Sequence, residues 1–333
     1  MTINSQRLLR IVMLIRTISV FCLLSLCACS LFSHPYSSLP KLPSQADVQI
    51  VKHTMGETAV PLHPQKIISL DPQSTEVAIS LGVKLFGYPQ KEIPASWRRD
   101  DAVDIGLPPS FEKVLSVKPD LIISIDFDFL EAYNFWSHIA PTVVYQVTKD
   151  VAGWKRLFMQ LAEALDQTQK AKQIAALYNA RIAQFKASMG EKLKRTQVSV
   201  VHIFPGRIII RTENSFSGSI LHELGLDRPL SQKPSAVPDF TKIFSNTSWY
   251  FISPELLSLI DADVLFVVTS NFSQPDDAKR ALKQLMSQPL WSKLNVVQQG
   301  KVHVVGQYWL IGNYLSANLV LDDVFKYLVE NNS

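Results

Sequence analysis

Short apolar runs alternate with helical segments along most of this 333-residue chain, and that alternation limits the folds open to it. Lys66–Leu70 has the length of a buried strand, and a helical segment, Gln73–Leu81, follows it. Leu121–Ile125 and Thr142–Tyr145 are further apolar runs, with the short helical segment Phe111–Val117 before them. Strands that alternate with helices indicate the α/β class and a parallel sheet.

The same alternation resumes in the second half of the chain. The predicted elements there are strands over Val198–His202, Ile208–Arg211, Val264–Val268 and Val302–Val305, and helices over Phe216–Leu224, Pro254–Leu259, Asp276–Met286 and Asn313–Leu328. Phe111–Ile123 and Ser253–Leu265 also share a pattern, in which a short helix with an early Glu leads through an acidic turn into a buried strand. This repeated pattern predicts two lobes of related structure.

A long helical stretch separates the two alternating regions. Residues 154–193 contain no Pro, and Ile174, Tyr178, Ile182 and Phe185 recur at spacings of four and three, which places them on one helix face. We predict two small Rossmann-like α/β lobes, joined by a long rigid helix, with a ligand cleft between them. The expected boundaries are residues 47–150 for the N-terminal lobe, 151–195 for the connecting helices and 196–333 for the C-terminal lobe.

The first 28 residues have the features of a secretory signal peptide. Arg7, Arg10 and Arg16 flank or interrupt a short apolar run, and no acidic residue precedes residue 29. Leu26-Cys27-Ala28-Cys29 resembles the lipobox of bacterial lipoproteins, which implies lipidation of Cys29 and a location in the periplasm or on the cell surface. An ordinary signal peptide cut nearby and an uncleaved anchor are the alternatives. Residues 29–46, rich in Ser and Pro, are expected to form a flexible tether.

Several classes of function are disfavoured by what the sequence lacks. All three cysteines lie at or before residue 29, so the body has no disulfide, thiolate metal site or Cys nucleophile. No phosphate-binding glycine motif and no Gly-x-Ser-x-Gly occurs, and the seven His are scattered. Most of the formal net charge of +4 belongs to the N-terminus, which argues against nucleic acid. We therefore expect a protein that is not an enzyme and that has neither a cofactor nor a metal site of its own.

Four segments, in their order and spacing, resemble the periplasmic solute-binding proteins for ferric siderophores and vitamin B12, the class with a helical backbone between lobes. The segments are Lys66–Gly82, Phe111–Ile123, Ile252–Val264 and Pro289–Val302. The resemblance implies a monomeric lipoprotein that hands its ligand to an ABC permease with an ATPase subunit. By motif position it also implies that Glu112 and Glu255 dock on the permease. A Glu in the first turn of a short helix is equally explained by the helix dipole.

The ligand of such a protein would lie between the lobes, where the carboxyl ends of strands bring side chains together. Bulky, often anionic chelates are bound by Arg or Lys and by aromatic faces. Arg211 ends one predicted strand, and we expect it to point into the cleft. The other candidates, each in a segment expected to form a loop, are Trp97, Arg98, Arg99, Phe127, Trp249, Tyr250, Tyr308 and Trp309. Core packing for the aromatic residues and surface ion pairs for the arginines are the alternative roles.

The function predicted from the sequence is capture of an iron(III)–siderophore complex, a small metal chelate, for an ABC importer. A cobalamin or haem binder of the same family is the first alternative. A tethered ligand sensor and a lipid-anchored hydrolase are alternatives from other classes, and the lack of a nucleophile motif disfavours the hydrolase.

Overall fold

Five short strands, most of them buried, form the N-terminal sheet. The computed structural model describes residues 47–125, 132–146, 153–234, 247–269, 275–310 and 312–330. A hairpin of β1 (Val48–His53) and β2 (Gly56–Pro61) comes first. The sheet strands follow as β3 (Ile67–Ser69), β4 (Leu85–Tyr88), β5 (Val103–Asp104), β6 (Leu121–Ile125) and β7 (Thr142–Tyr145). They are all parallel, in the order β5-β4-β3-β6-β7.

Three helices accompany this sheet, namely α1 (Pro72–Ser80), α2 (Phe111–Val117) and α3 (Tyr133–Ile139). Asp71 caps α1, because its Oδ1 accepts a hydrogen bond from the Ser74 backbone N–H at 2.9 Å. The other oxygen, Oδ2, accepts from the backbone N–H of Ile125 at 2.8 Å. This buried carboxylate therefore fixes the start of α1 at the carboxyl end of β6.

Two helices connect the sheets, α4 (Gly153–Ala164) and α5 (Thr168–Met189). The chain turns between them at Asp166, whose φ of 54° ends the first helix. Tyr178, Ile182 and Phe185 are buried along α5, as their spacing predicts. The period of the apolar residues thus located the long helix.

The C-terminal sheet is mixed rather than fully parallel. Its strands are β8 (Val198–Phe204), β9 (Arg207–Arg211), β10 (Trp249–Ile252), β11 (Val264–Thr269) and β12 (Val302–Val305), in the order β10-β9-β8-β11-β12. β8, β11 and β12 are parallel, whereas β9 runs antiparallel to both β8 and β10. Trp249 and Tyr250, which we expected in a loop, begin β10.

A two-residue turn causes the reversal at β9. Phe204 pairs with Arg207 across Pro205-Gly206, and Gly206 has a φ of 71°, which suits the third position of a type II turn. The carboxyl end of β9 therefore lies away from the carboxyl ends of β8, β11 and β12. The assumption of a parallel β9 was wrong, whereas the orientation of Arg211 toward the cleft stays a prediction.

The remaining helices are α6 (Phe216–Glu223), α7 (Pro275–Met286), α8 (Asn295–Gln298) and α9 (Tyr314–Val324). The predicted helix at Pro254 is a 3₁₀ segment, Pro254–Ile260, and a π-helical turn, Phe325–Val329, continues α9. Tyr314 packs edge-on against Trp154, Phe158 and Tyr178 at ring-centroid distances of 4.8–5.3 Å. Helices α4, α5 and α9 thus share one aromatic core.

Candidate functional site: a cavity between the two lobes

A cavity of about 50 Å³ lies where the carboxyl ends of strands from both sheets meet. Its walls come from the segments after β3, β4 and β12 and from α9. The lining residues are Pro72, Gln73, Glu76, Glu92, Ile93, Pro94, Trp97, Gln307, Tyr308 and Ser316. Open α/β sheets bind ligands at this edge, and a volume of this size admits one small group of a larger ligand.

Trp97 and Tyr308 are the two predicted site residues that line this cavity. Trp97 ends a single 3₁₀ turn, Ala95–Trp97, and is half-buried. Tyr308 follows β12, and its hydroxyl donates a hydrogen bond to Asp323 Oδ2 at 2.8 Å. Burial raises the pKa of Tyr308, so the phenol stays protonated as a donor.

Gly306 allows the Tyr308 ring to pack back against the chain. A Cβ at position 306 would lie 2.2 Å from the Tyr308 ring, a distance that no side chain tolerates. The Tyr308 ring therefore packs directly against Gly306, where only glycine leaves room for it. At the other end of the ring, the hydroxyl is held by Asp323 of α9. The structure gives this aromatic wall of the cavity a defined orientation.

Glu76 lies in the cavity lining and binds the amino end of α9. Its Oε1 accepts hydrogen bonds from the backbone N–H groups of Asn313 (3.1 Å) and Ser316 (2.9 Å). The side chain comes from α1, so this contact joins the N-terminal lobe to the last helix. Burial raises the pKa of Glu76 to about 7, although the two N–H donors partly offset that rise.

Gln73 and Glu92 are further lining residues that sequence reasoning did not select. Gln73 is 7% exposed, and its side-chain oxygen has no hydrogen-bond partner in the described part of the chain. Glu92 is half-buried and makes no ion pair or side-chain hydrogen bond within the described residues. Both follow parallel strands of the N-terminal sheet, so the rule that selected the aromatic residues could also have selected these two.

Arg211 does not line the cavity. Its Nη2 donates to the backbone oxygen of Leu310 at 3.1 Å, two residues after Tyr308, and its buried Nε has no hydrogen-bond partner among the described residues. Burial lowers the pKa of Arg211 to about 10. The buried Arg228 donates a hydrogen bond to the Arg211 backbone oxygen at 2.7 Å.

Arg98 and Arg99 are exposed, and their side chains are engaged elsewhere. The guanidinium of Arg98 donates twice to the backbone oxygen of Ile93, at 3.0 and 3.1 Å. Arg99 forms an ion pair with Asp101 in which Nε lies 2.9 Å from Oδ1. Neither residue lines the cavity, although each stands within two residues of Trp97.

Three other predicted aromatic residues lie outside the cavity lining. Trp309 is 0% exposed, stacks on Phe266 at 4.3 Å and donates its Nε1–H to Asp323. Tyr250 is 7% exposed and donates to the Ser231 backbone oxygen. Trp249 is half-buried beside Arg211 on the neighbouring strand. Burial favours core roles for Trp309 and Tyr250, the alternative that the sequence left open.

The two predicted docking residues are exposed, one on each lobe. Glu112 lies in the first turn of α2, and Glu255 lies in the first turn of the 3₁₀ segment Pro254–Ile260. A hydrogen bond from Ser253 lowers the pKa of Glu255, which keeps it ionised. Phe127 and the lipidation candidate Cys29, together with the signal and tether segments, lie outside the described residues.

The described residues contain neither a metal-binding cluster nor a membrane-spanning helix. No group of three or more His, Asp or Glu side chains there is arranged to hold a metal ion. No helix in that part of the chain has the length and hydropathy required to cross a bilayer.

Residues 67–308 match the sequence model of a protein family described as "Periplasmic binding protein". The chain belongs to this family. Its members are substrate-binding proteins rather than enzymes. The two sheets, the connecting helices and the cavity between lobes agree with that membership, as the resemblance implied.

Two individual relatives and one solved structure resemble this chain over most of its length. The chain is 31% identical over 304 residues to the "Probable siderophore-binding lipoprotein YfiY" of Bacillus subtilis (strain 168), covering 86% of this chain and 90% of that one. It is 25% identical over 297 residues to the "Putative ABC transporter substrate-binding lipoprotein YhfQ" of the same organism, covering 83% and 87%. The crystal structure of Staphylococcus aureus SirA complexed with staphyloferrin B superposes with a TM-score of 0.70 at 27% identity, covering 84% and 98%.

Proposed function

We propose that this protein captures an iron(III)–siderophore complex outside the cytoplasmic membrane and delivers it to an ABC permease. The observation that carries the proposal is the cavity between the lobes, with Trp97 and Tyr308 in its walls. Similarity to siderophore-binding relatives over most of the chain supports the choice of ligand. The iron is cargo held by the chelate, so the protein needs no metal ligands of its own.

Within this proposal, Trp97 and Tyr308 contact the chelate through their ring faces. Arg211 reaches an anionic part of the ligand, because a carboxylate or phenolate would supply the partner that its Nε lacks. A cavity of about 50 Å³ would enclose only one small group of a bulky chelate, so the rest of the ligand would extend into the opening between the lobes. Trp249, beside Arg211, is a further contact for that exposed part.

Anchoring and docking complete the proposed function. Lipidated Cys29 would attach the protein to the membrane, and residues 29–46 would let the body reach the permease. Glu112 and Glu255, one on each lobe, would meet cationic side chains of the permease. Both carboxylates are exposed, so they would be free to pair on docking. The protein acts as a monomer in this scheme, and the ATPase subunit supplies the energy.

Intrinsic tryptophan fluorescence of the full chain, solubilised in detergent, tests the proposal. The titrants are ferric hydroxamate, ferric catecholate and ferric citrate chelates, the iron-free chelators, cobalamin and haem. We expect saturable quenching by one ferric complex at sub-micromolar concentration, and weaker quenching in the Trp97→Phe variant. Tight binding of cobalamin or haem alone would replace the iron–siderophore assignment. The absence of quenching by any of the titrants would contradict the proposal.

A further inference from the structure

The cavity between the lobes is lined by two carboxyl groups that the proposed function does not explain. Its lining includes Glu76 and Glu92 but no Lys or Arg. The two predicted cations that follow Trp97 in the sequence have other partners: Arg98 binds the Ile93 backbone oxygen, and Arg99 pairs with Asp101. A ligand group that enters this cavity therefore meets hydrogen-bond acceptors of Glu76 and Glu92. No Lys or Arg of the described residues lines the cavity beside them.

The two acidic groups differ in what they can do. Glu76 already accepts two backbone N–H groups of α9 through Oε1, so it has a structural role at the base of the cavity. Glu92 is half-buried and makes no side-chain hydrogen bond or ion pair within the described residues. A carboxylate partly removed from water and left unpaired is a natural counter-ion for a cation.

A second group in the lining also lacks a partner. The side-chain oxygen of Gln73 is buried, and none of the described residues donates a hydrogen bond to it. Leaving such an acceptor unsatisfied costs free energy, so a ligand with an N–H donor gains by supplying one. This oxygen is an observation independent of the acidic residues. Like the Glu92 carboxylate, it would be satisfied by an N–H donor of the ligand.

The aromatic side chains of Trp97 and Tyr308 add a third preference. Indole and phenol faces attract a cation through their ring quadrupoles, and indole does so best. Carboxylate, amide oxygen and aromatic faces together match a protonated amine, which offers positive charge and several N–H donors. A carboxylate or phenolate of a chelate would meet repulsion from Glu92 at the same place.

We propose that this cavity receives a protonated amine arm of the siderophore, with Glu92 as its counter-ion and the Gln73 oxygen as a further acceptor. This inference rests on the proposed function, because the amine belongs to the captured chelate. It makes Glu92 a specificity-determining residue that selects amine-bearing chelates. Anionic groups of the same ligand would then lie toward Arg211 rather than in the cavity.

Paired ligands that differ only at the amine test the inference. We would titrate the full chain with ferric hydroxamate, ferric catecholate and ferric citrate-type chelates, each with a free amine arm and in its N-acetylated form, by isothermal titration calorimetry. In the chelate class that binds, the amine form should bind at least about tenfold more tightly. Glu92→Gln should reduce this preference to within about twofold, with an unchanged melting temperature.

Glu163→Gln is the matched control, since it removes the same charge from an exposed position on α4 outside the cavity lining and should keep the tenfold preference. Equal affinity of the amine and acetylated forms would overturn the inference and leave the proposed function standing. An amine preference that survives Glu92→Gln would also overturn the assignment of the counter-ion. Failure of all six chelates to bind would contradict the proposed function itself.

Discussion

At the scale of single residues, burial decided which candidate side chains can meet a ligand. Trp97 and Tyr308 line the cavity, whereas Trp309, next to Tyr308 in sequence, is fully buried. The two neighbours separate because Asp323 accepts hydrogen bonds from both, at 2.8 Å each, and directs one ring to the cavity and the other to Phe266. Sequence position after a strand could not distinguish them.

The role of Trp309 predicts a loss of stability on its truncation. Trp309→Ala should lower the free energy of unfolding by about 3–5 kcal/mol, because it empties a buried site of its largest side chain. Trp309→Phe should cost less, since a ring still stacks on Phe266. Urea unfolding measures both, and Trp97→Ala, at a half-buried position, should be far milder. A near-neutral Trp309→Ala would show that this residue is not a core side chain.

For Arg211, we expect a substitution to change the affinity for the ligand rather than the stability of the fold. Arg211→Met keeps much of the side-chain volume but removes the charge, so an anionic ferric chelate should bind about 10- to 100-fold more weakly. Fluorescence titration measures the affinity. Arg207→Met is the control, because Arg207 is exposed at the opposite end of the same strand, where it lies over the Phe251 ring. Equal affinity of Arg211→Met and the unsubstituted protein would remove Arg211 from the site.

At the scale of elements, α9 connects most of the features around the cavity. Its amino end is bound by Glu76 of α1, and Asp323 near its carboxyl end holds Tyr308. Arg181 of α5 donates to Asn318 Oδ1 at 2.8 Å, which ties α9 to the connecting helix as well. A displacement of α9 would therefore alter the cavity wall and the contact between the lobes together.

The raised pKa of Glu76 predicts a pH dependence of stability. A folded pKa of about 7, above the usual 4.5, means that the folded protein binds more protons than the unfolded chain between these values. The contribution of Glu76 to stability is therefore greatest below pH 4.5 and is lost as pH rises through 7. The full change amounts to roughly 3 kcal/mol.

Glu76→Gln isolates this effect, because glutamine keeps an oxygen acceptor for the N–H groups of Asn313 and Ser316 but does not titrate. Urea unfolding at intervals from pH 5 to pH 8 should show the variant gaining stability relative to the unsubstituted protein as pH rises. Glu76→Ala should be less stable than Glu76→Gln across the range, since it leaves both donors unpaired. A stability difference between Glu76→Gln and the unsubstituted protein that is constant with pH would contradict the assigned titration.

At the scale of the whole molecule, the described part of the body behaves as one unit rather than as two loosely joined lobes. Residues 47–333 form a single compact unit, in which α4, α5 and α9 pack between the sheets through shared aromatic side chains. A continuous helix such as α5 resists bending more than extended hinge strands do. We therefore expect small lobe motions on ligand binding.

Small-angle scattering of the full chain in detergent, with and without the bound ferric chelate, checks this expectation. The radius of gyration should change by less than about 1 Å, because a rigid connection limits the motion to small adjustments. Ferric chelate mixed with an unrelated lipoprotein of similar size gives the baseline. Marked compaction with ligand would show that the lobes close as hinged bodies.

Docking is a second prediction at this scale. Glu112→Ala combined with Glu255→Ala should leave chelate affinity intact and abolish uptake, because the two exposed carboxylates lie on different lobes, outside the cavity lining. Uptake of radiolabelled iron by cells that depend on this protein measures the effect. Glu191→Ala, at another exposed position, should leave uptake unchanged. Normal uptake in the double variant would assign docking to other residues.

Local sequence patterns were sufficient to predict the fold class, most element positions and the family. Phe111–Val117, Leu121–Ile125 and Val302–Val305 have the predicted bounds, because apolar period, caps and turns are local properties of the chain. Shared local patterns in order and spacing also sufficed to indicate the family, which the profile match confirmed.

Which distant side chains come into contact, in contrast, depends on the folded chain. The reversal of β9, the separation of Trp309 from Tyr308 and the reach of Glu76 to α9 depend on pairings between residues far apart in sequence. Such pairings follow from sheet order and helix packing, which local periodicity does not encode. The cavity and its unpaired Gln73 and Glu92 arise in the same way, since their walls come from three strand ends and a helix that meet only in the folded chain.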